Sequence, residues 1–218
     1  MIAFVGMETS GMVRRAFQAK GIETYSCDLL PSDDGGEDMV YSPDGLPLGR
    51  HIVGDVFETL DNLWSNDLWP SLAVFHPPCT RLCNSGVRWL DNPPPGKTRK
   101  QMHEELAQGA ELFSRCLNIN IDRVCVENPV MHKYAKQAIW GYRPPVQSIQ
   151  PWQFGHGEVK RTCLWLNGLM PLVPTNVVEG REAKVHRMPP GPDRWKARSK
   201  TYPGIAQAMA DQWAMPTN

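Results

Sequence analysis

Apolar residues fall along this chain in short runs that stop at Gly, Pro or an acid, separated by longer stretches of helical spacing. Ile2 to Val5, Glu23 to Cys27, His51 to Val53, Leu72 to Phe75, Val124 to Val126 and Thr162 to Leu166 read as strands, because compact apolar runs bounded by turn residues suit buried strands. Gly11 to Lys20 reads as a helix with Ser10 as N-cap and Gly21 as its stop. Lys100 to Asn118 sets Met102, Leu106, Ala110, Phe113, Cys116 and Leu117 near helical spacing. The tail, Ile205 to Met215, puts Ala206, Met209, Ala210 and Trp213 on one helical face. A helix or irregular segment leads to Trp69, and a short helix starts at His132. Residues 31–50 read as a long loop, 80–99 as a mobile loop and 144–154 as a turn-rich connector. Strands alternating with helices predict an α/β fold with a doubly wound, mostly parallel sheet. The chain reads as one domain, 1–218, in which 167–200 is a Pro-rich basic segment.

Composition narrows the function classes. Lys and Arg number 23 and Asp and Glu 23, so any grip on nucleic acid must come from a local patch. No apolar run approaches the ~18 residues of a membrane span. The opening residues lack a basic region and read as a first strand rather than a signal peptide. Six Cys are scattered without paired-ligand spacing, apart from Cys79 and Cys83. That pattern favours free thiols in a reducing compartment, a cytoplasmic location and no metal site. Cys27, Cys116, Cys125 and Cys163 read as small core residues. Cys79, with Pro77-Pro78 before it and a polar loop after it, reads as an exposed thiol. Cys83 reads either as a further core thiol or as a loop thiol near the same place. His76 reads as structural rather than as a base.

Chemistry concentrates at predicted strand ends, where open α/β sheets bind ligands. Phe75-His76-Pro77-Pro78-Cys79 ends one strand and Val126-Glu127-Asn128-Pro129 ends another. A thiol and a carboxylic acid converging there suit covalent attack on an electron-poor ring that the acid protonates. Upstream, Phe4-x-Gly6-x-x-x-Ser10-Gly11 forms a Gly-bearing turn before a helix, an arrangement that receives a nucleotide. Asp28 follows the next strand, where an acid suits ribose hydroxyls, and Asp55 follows the one after, where it suits an adenine amino group. Each acid alone also reads as a loop or helix cap. The three together, ahead of Cys79, favour the cofactor reading.

These motifs resemble the DNA cytosine-5 methyltransferases, in particular their short bacteriophage forms. Phe4-Val5-Gly6 is similar to the start of the first motif, without its consecutive glycines. Gly54-Asp55-Val56 is similar to the motif that meets adenine, and Pro77-Pro78-Cys79 to the nucleophile motif. Glu127-Asn128-Pro129 stands where Glu-Asn-Val is usual. Arg161 before Thr162-Cys163-Leu164-Trp165-Leu166 is similar to the Arg-strand motif, and Ser199 to Ile205 occupies the place of the final one. The resemblance implies a Rossmann-like, S-adenosylmethionine-dependent methyltransferase fold whose target-recognition region is minimal or absent. It implies S-adenosylmethionine held by Phe4, Gly6, Ser10, Gly11, Asp28, Asp55, Val56 and Pro77. It further implies DNA as substrate, Cys79 adding to cytosine C6, Glu127 at N3, Arg161 at O2 and Asn128 fastening the loop.

DNA contact is expected from Arg81, Arg88 and Trp89 in the mobile loop, and from Arg194 and Arg198 within the basic stretch. His186 and the Pro189-Pro190 pair read as an extended surface segment. With so little chain between the Arg strand and the last motif, sequence specificity is relaxed or comes from a partner. An amino-methyltransferase is disfavoured, because His76 and Cys79 flank Pro-Pro where an amide or acid and an aromatic are needed. Two alternatives remain: a non-catalytic nucleic-acid-binding relative, and a pyrimidine-modifying enzyme that acts on a free nucleotide or uses another electrophile.

Overall fold

The computed structural model describes residues 1–189, 191 and 194–214, with only the backbone of His186. Pro190 and Met215, which the sequence reading includes in the extended segment and the last helix, lie outside the described residues.

The central sheet is built from β1 (Ile2–Gly6), β2 (Glu23–Asp28), β5 (His51–Val53), β6 (Pro70–Phe75), β7 (Arg123–Asn128), β8 (Gln147–Ile149) and β9 (Thr162–Asn167). Its order is β5-β2-β1-β6-β7-β9-β8. All pairs are parallel except β7 with β9 and β8 with β9, so β9 alone runs against the rest. The chain leaves β1 for β2 on one side and returns to β6 on the other. The strand order therefore reverses at β1, the position beside whose carboxyl end open α/β sheets bind their ligands.

Both faces are covered, as a near-continuously apolar parallel sheet requires. One face carries α2 (Val56–Ser65), α4 (Arg99–Leu117) and α5 (Lys133–Ala138), whose Leu60, Phe113 and Ala135 pack on Phe4, Phe75, Val126 and Trp165. Phe113 meets Trp165 edge-on at 5.0 Å. The other face carries α1 (Met12–Gln18) and α8 (Pro203–Trp213), whose Val13, Phe17, Met209 and Trp213 pack on Val5, Val74 and Leu164. This is the expected doubly wound, Rossmann-like architecture.

Local chemistry sets the helix ends. Thr98 and Gln101 close a reciprocal capping box on α4, and the Asp55 side chain accepts from the N–H groups of Phe57 and Glu58 to start α2. At α1 the expected cap is different. Gly11 occupies the cap position at φ 65°, Ser10 Oγ accepts from Met12 N–H at 3.3 Å, and Glu8 reaches round to accept from Val13 N–H at 3.1 Å.

Three segments read as irregular contain elements. Residues 31–50 hold a hairpin of β3 (Val40–Tyr41) and β4 (Pro47–Gly49), where Gly49 at φ 87° lies against the Thr24 backbone. The 80–99 loop includes one helical turn, α3 (Arg88–Asp91). The connector 144–154 contributes β8 to the sheet edge; three residues rich in polar side chains carry no strand signal. Likewise the backbone near His186 is not extended, since Lys184–Arg187 form a helical turn, α6. A last short helix, α7 (Arg194–Ser199), is joined to the loop after β2 by Asp33, which pairs with Lys196 at 2.5 Å and Lys200 at 3.2 Å. Among the described residues no helix is long and apolar enough to cross a membrane.

Candidate active site

The site grows from adjacent parallel strands. β6 stops where Pro77 and Pro78 remove backbone donors, and its last ladder bond is His76 N–H to Gly6 O at 3.0 Å. Beside it, β7 delivers Glu127 and Asn128. Asn128 Nδ2 donates to Pro77 O at 2.7 Å in the buried interior, so the Cys79 loop hangs from the Glu127 strand. His76 Nδ1 meets Glu127 Oε2 at 3.1 Å, with side chains only 8% and 16% exposed. The lone His is thus more than structural filling, because it is the direct partner of the acid.

Cys79 begins a tight helical turn, its carbonyl accepting from Leu82 and Cys83 N–H groups at 3.0 Å each. The loop beyond it is fastened. Asn84 N–H reaches Val130 O at 3.3 Å, His132 N–H reaches Leu82 O at 3.1 Å, and Cys83 bridges to Met131. A Cβ on Gly86 would sit 2.1 Å from Thr80 O, so only glycine closes this turn. The start of the loop expected to be mobile is therefore anchored to the chain that follows Glu127.

The thiols divide by environment. Burial pushes Cys27, Cys116 and Cys125 above the ordinary thiol range, as inert core residues should be. Cys79 is also raised, first by its hydrogen bond with Cys83, then by burial and the charge of Glu127. Cys83 moves the opposite way, lowered by Cys79 and by Ser85. Burial opposes ionisation of Glu127, yet the His76 hydrogen bond and the charges of His76 and Lys160 outweigh it and hold the carboxyl below its usual range.

Lys160 was not foreseen. Glu127 lies opposite Leu164 in the β7–β9 register, and side chains alternate along a strand, so Leu164, Thr162 and the preceding Lys160 share Glu127's face. Arg161 falls on the other side, exposed, with its Nε donating to Ser148 Oγ at 3.2 Å. The cation beside the acid is accordingly Lys160, whereas Arg161 is engaged with Ser148. Burial lowers the Lys160 ammonium, Glu127 and Cys79 oppose that, and Arg198 adds to it. A narrow crevice of about 10 Å³ is lined by His76, Glu127, Lys160, Thr162, Thr201 and Tyr202. That is room for roughly one water. Thr201 and Tyr202 come from the stretch that leads into α8, and Tyr202 Oη donates to Glu158 Oε2 at 2.8 Å.

The other expected residues divide. Gly6 is buried at the end of β1, where an added Cβ would stand 2.6 Å from the Phe75 ring and 2.7 Å from Val56. Phe4 is fully buried and packs on Phe75, with ring centroids 6.0 Å apart; it supports the turn from inside the core rather than facing a ligand. Val56 is buried beneath the same turn. Gly11 is covered by Asp34, whose Oδ2 would lie 2.3 Å from a Cβ there. Asp28 Oδ1 accepts from Leu30 N–H at 3.0 Å, and burial raises its pKa. Asp55 caps α2, and Cys27 Sγ ties β2 to the adjoining Gly54 O at 3.1 Å. Glu8, missed because nothing in the pattern marks it, is buried after β1, and its Oε2 has no hydrogen-bond partner among the described residues.

Of the expected DNA contacts, Arg81 is committed to Glu105 through Nε at 2.6 Å. Arg88 lies 4.5 Å over the Trp89 ring. Arg198 is close enough to Lys160 to act on its charge. Arg194 has a buried Nε without a partner among the described residues.

No protein-family model and no curated protein matches the chain. Among solved structures it is similar to a protein described as a DNA modification methyltransferase encoded within an E. coli prophage. The likeness has a TM-score of 0.49 at 13% identity and covers 82% of this chain and 52% of that one. The chain thus spans about half the length of that protein.

Proposed function

We propose that the protein methylates cytosine at C5 in DNA through a covalent Cys79 adduct. The observation that carries this reading is that Cys79, in the loop after β6, and Glu127, on the adjacent parallel strand β7, are brought to the same end of the sheet, with Asn128 tying the Cys79 loop to the acid's strand at 2.7 Å. The single reversed strand, inserted between the fifth and the last parallel strands of the sheet, agrees with a methyltransferase-type Rossmann fold.

The residues around β1, β2 and β5 suit S-adenosylmethionine. Asp28 and Asp55 offer carboxylates to ribose and adenine donors, and the unpartnered Glu8 Oε2 fits an ammonium group. When bound, S-adenosylmethionine would supply an electrophilic sulfonium methyl for C5.

The chain's own residues supply the rest. A flipped-out cytosine enters beside Cys79. Cys79 Sγ bonds to C6, the C5–C6 π pair becomes a C4–C5 double bond, the C4–N3 π pair moves to N3, and N3 takes a proton from the hydrogen-bonded Glu127–His76 pair. Lys160 faces the same acid and stabilises negative charge that builds on the ring. After methylation water takes the C5 proton, the C5–H pair rebuilds the C5–C6 double bond, the S–C6 pair returns to Cys79 Sγ, and N3 gives its proton back to the Glu127–His76 pair. Expression in a host lacking cytosine methylation, followed by digestion and mass analysis of its DNA, should reveal 5-methylcytosine in the wild type and none with Cys79→Ala. Unmodified DNA from cells making folded wild-type protein would defeat this assignment.

A further inference from the structure

We propose that His76 is a positioning residue that relays protons to Glu127: its Nε2 draws a proton from a water in the crevice beside it, and its Nδ1 hands one to the carboxylate that meets the ring. The proposal rests on the cytosine-5 reading for its substrate, but the state of the imidazole can be read without DNA.

The ring is fixed at both ends. The backbone bond from His76 N–H to Gly6 O holds the residue at the end of β6, and its side chain is 8% exposed. Nδ1 lies 3.1 Å from Glu127 Oε2. Burial opposes ionisation of Glu127, but the His76 bond and the charges of His76 and Lys160 outweigh it. An ionised carboxylate only accepts, so the proton in that bond belongs to Nδ1, and in the neutral ring Nε2 is a bare acceptor. Nε2 is buried and has no partner among the described residues. Buried polar atoms are nearly always partnered, by protein or by ordered water. His76 lines the crevice of about 10 Å³, which has room for roughly one water.

The other walls supply that water's remaining partners. Lys160 Nζ gives one N–H to Lys200 O at 3.1 Å and keeps further donors. Thr162 and Thr201 bring hydroxyls to the same crevice. The Tyr202 proton is committed to Glu158. The charged and titratable groups around His76 are thus Glu127 on β7, Lys160 ahead of β9, Tyr202 with Glu158 behind it, Arg198 acting on Lys160, and Cys79 on the loop that His76 begins. Among them, only Glu127 is hydrogen-bonded to the imidazole, which gives the relay one exit.

The step balances. Cys79 gives its S–H proton to solvent as the S–C6 bond forms. The Nδ1 proton passes to Glu127 as Glu127 passes one to N3, and Nε2 takes a proton from the crevice water. That water regains one from the solvent that received the Cys79 proton. The imidazole changes tautomer and stays neutral. On elimination each transfer reverses, and the S–C6 electron pair returns to Cys79 Sγ.

The test pairs nitrogen NMR of ¹⁵N-histidine-labelled protein with rates of adduct formation on 5-fluorocytosine DNA. The His76 signal is the one that His76→Asn removes. We expect it to report the neutral tautomer protonated at Nδ1 in the free protein. His76→Asn keeps an N–H for Glu127 but relays nothing, so folded variant should form adduct about 10²-fold more slowly at neutral pH. That gap should narrow as the pH is lowered, because Glu127 then takes its proton directly from solvent. A neutral ring protonated at Nε2 would overturn the proposal, as would a His76→Asn rate equal to wild type or a gap that does not change with pH. Wild type that traps no DNA would overturn the cytosine reading instead; the Nδ1 tautomer would still support the direction of the relay, and the Nε2 tautomer would remove it.

Discussion

Single side chains decide the chemistry of this site, and Lys160 is the sharpest case. It and Arg161 are neighbours in sequence, but strand alternation sends them to opposite faces, and only Lys160 meets Glu127. Lys160→Met should lower methylation at least ~10²-fold, the scale of a lost charge-stabilising donor, while Arg161→Met stays close to wild type. Single-turnover rates for the two variants decide this, and a larger loss from Arg161→Met would refute the assignment. Glu127 makes a second prediction. Its folded pKa lies below the unfolded one, so it contributes stability above the ordinary glutamate range and loses it as pH falls through the depressed value. Acidification should lower the Tm of the wild type more than that of Glu127→Gln. Cys79, Glu127 and Asn128 were legible because Pro-Pro and the flanking apolar runs mark strand ends. Lys160 was hidden because a one-residue shift of register looks the same in a string of letters.

At the scale of elements, the nucleophile loop is held by contacts from the neighbouring strand rather than by its own propensity. Asn128→Ala would leave Pro77 O unpaired in the interior, costing about 1–3 kcal/mol and releasing Cys79 from its place. Thermal unfolding should show the first effect and failure to trap substrate the second; a variant that loses stability but traps at the wild-type rate would show that the tether does not position the thiol. The long strands and α4 were plain from their apolar periodicity. The β8 strand and the β3–β4 hairpin were not, since short edge pieces are made by their partners and carry little pattern of their own. The loop after Cys79, rich in Pro, Gly and Asn, looked free; its anchors at Val130, Met131 and His132 are long-range contacts that composition does not encode.

For the whole molecule, 23 cations and 23 anions leave no general attraction for DNA, and much of the basic stretch is spent internally. Lys196 and Lys200 hold α7 to Asp33, and Arg81 is paired with Glu105. That leaves Arg88, Arg194 and Arg198 among the expected contacts. Three phosphate contacts predict a slope of log affinity against log salt of about −3. A slope twice as steep would mean that the ion pairs open on binding. The doubly wound architecture was readable from strand–helix alternation, whereas this internal pairing of charges emerged only once distant segments were brought together.

The central claim is that Cys79 attacks the pyrimidine ring. Purified wild type and Cys79→Ala should be incubated with S-adenosylmethionine and DNA carrying 5-fluorocytosine, whose fluorine at C5 blocks elimination. The account predicts a denaturation-resistant protein–DNA adduct, mapped to Cys79 by peptide mass analysis and absent from the variant. Folded wild-type protein that binds the cofactor and the DNA yet forms no adduct, or an adduct that persists in Cys79→Ala, would contradict it.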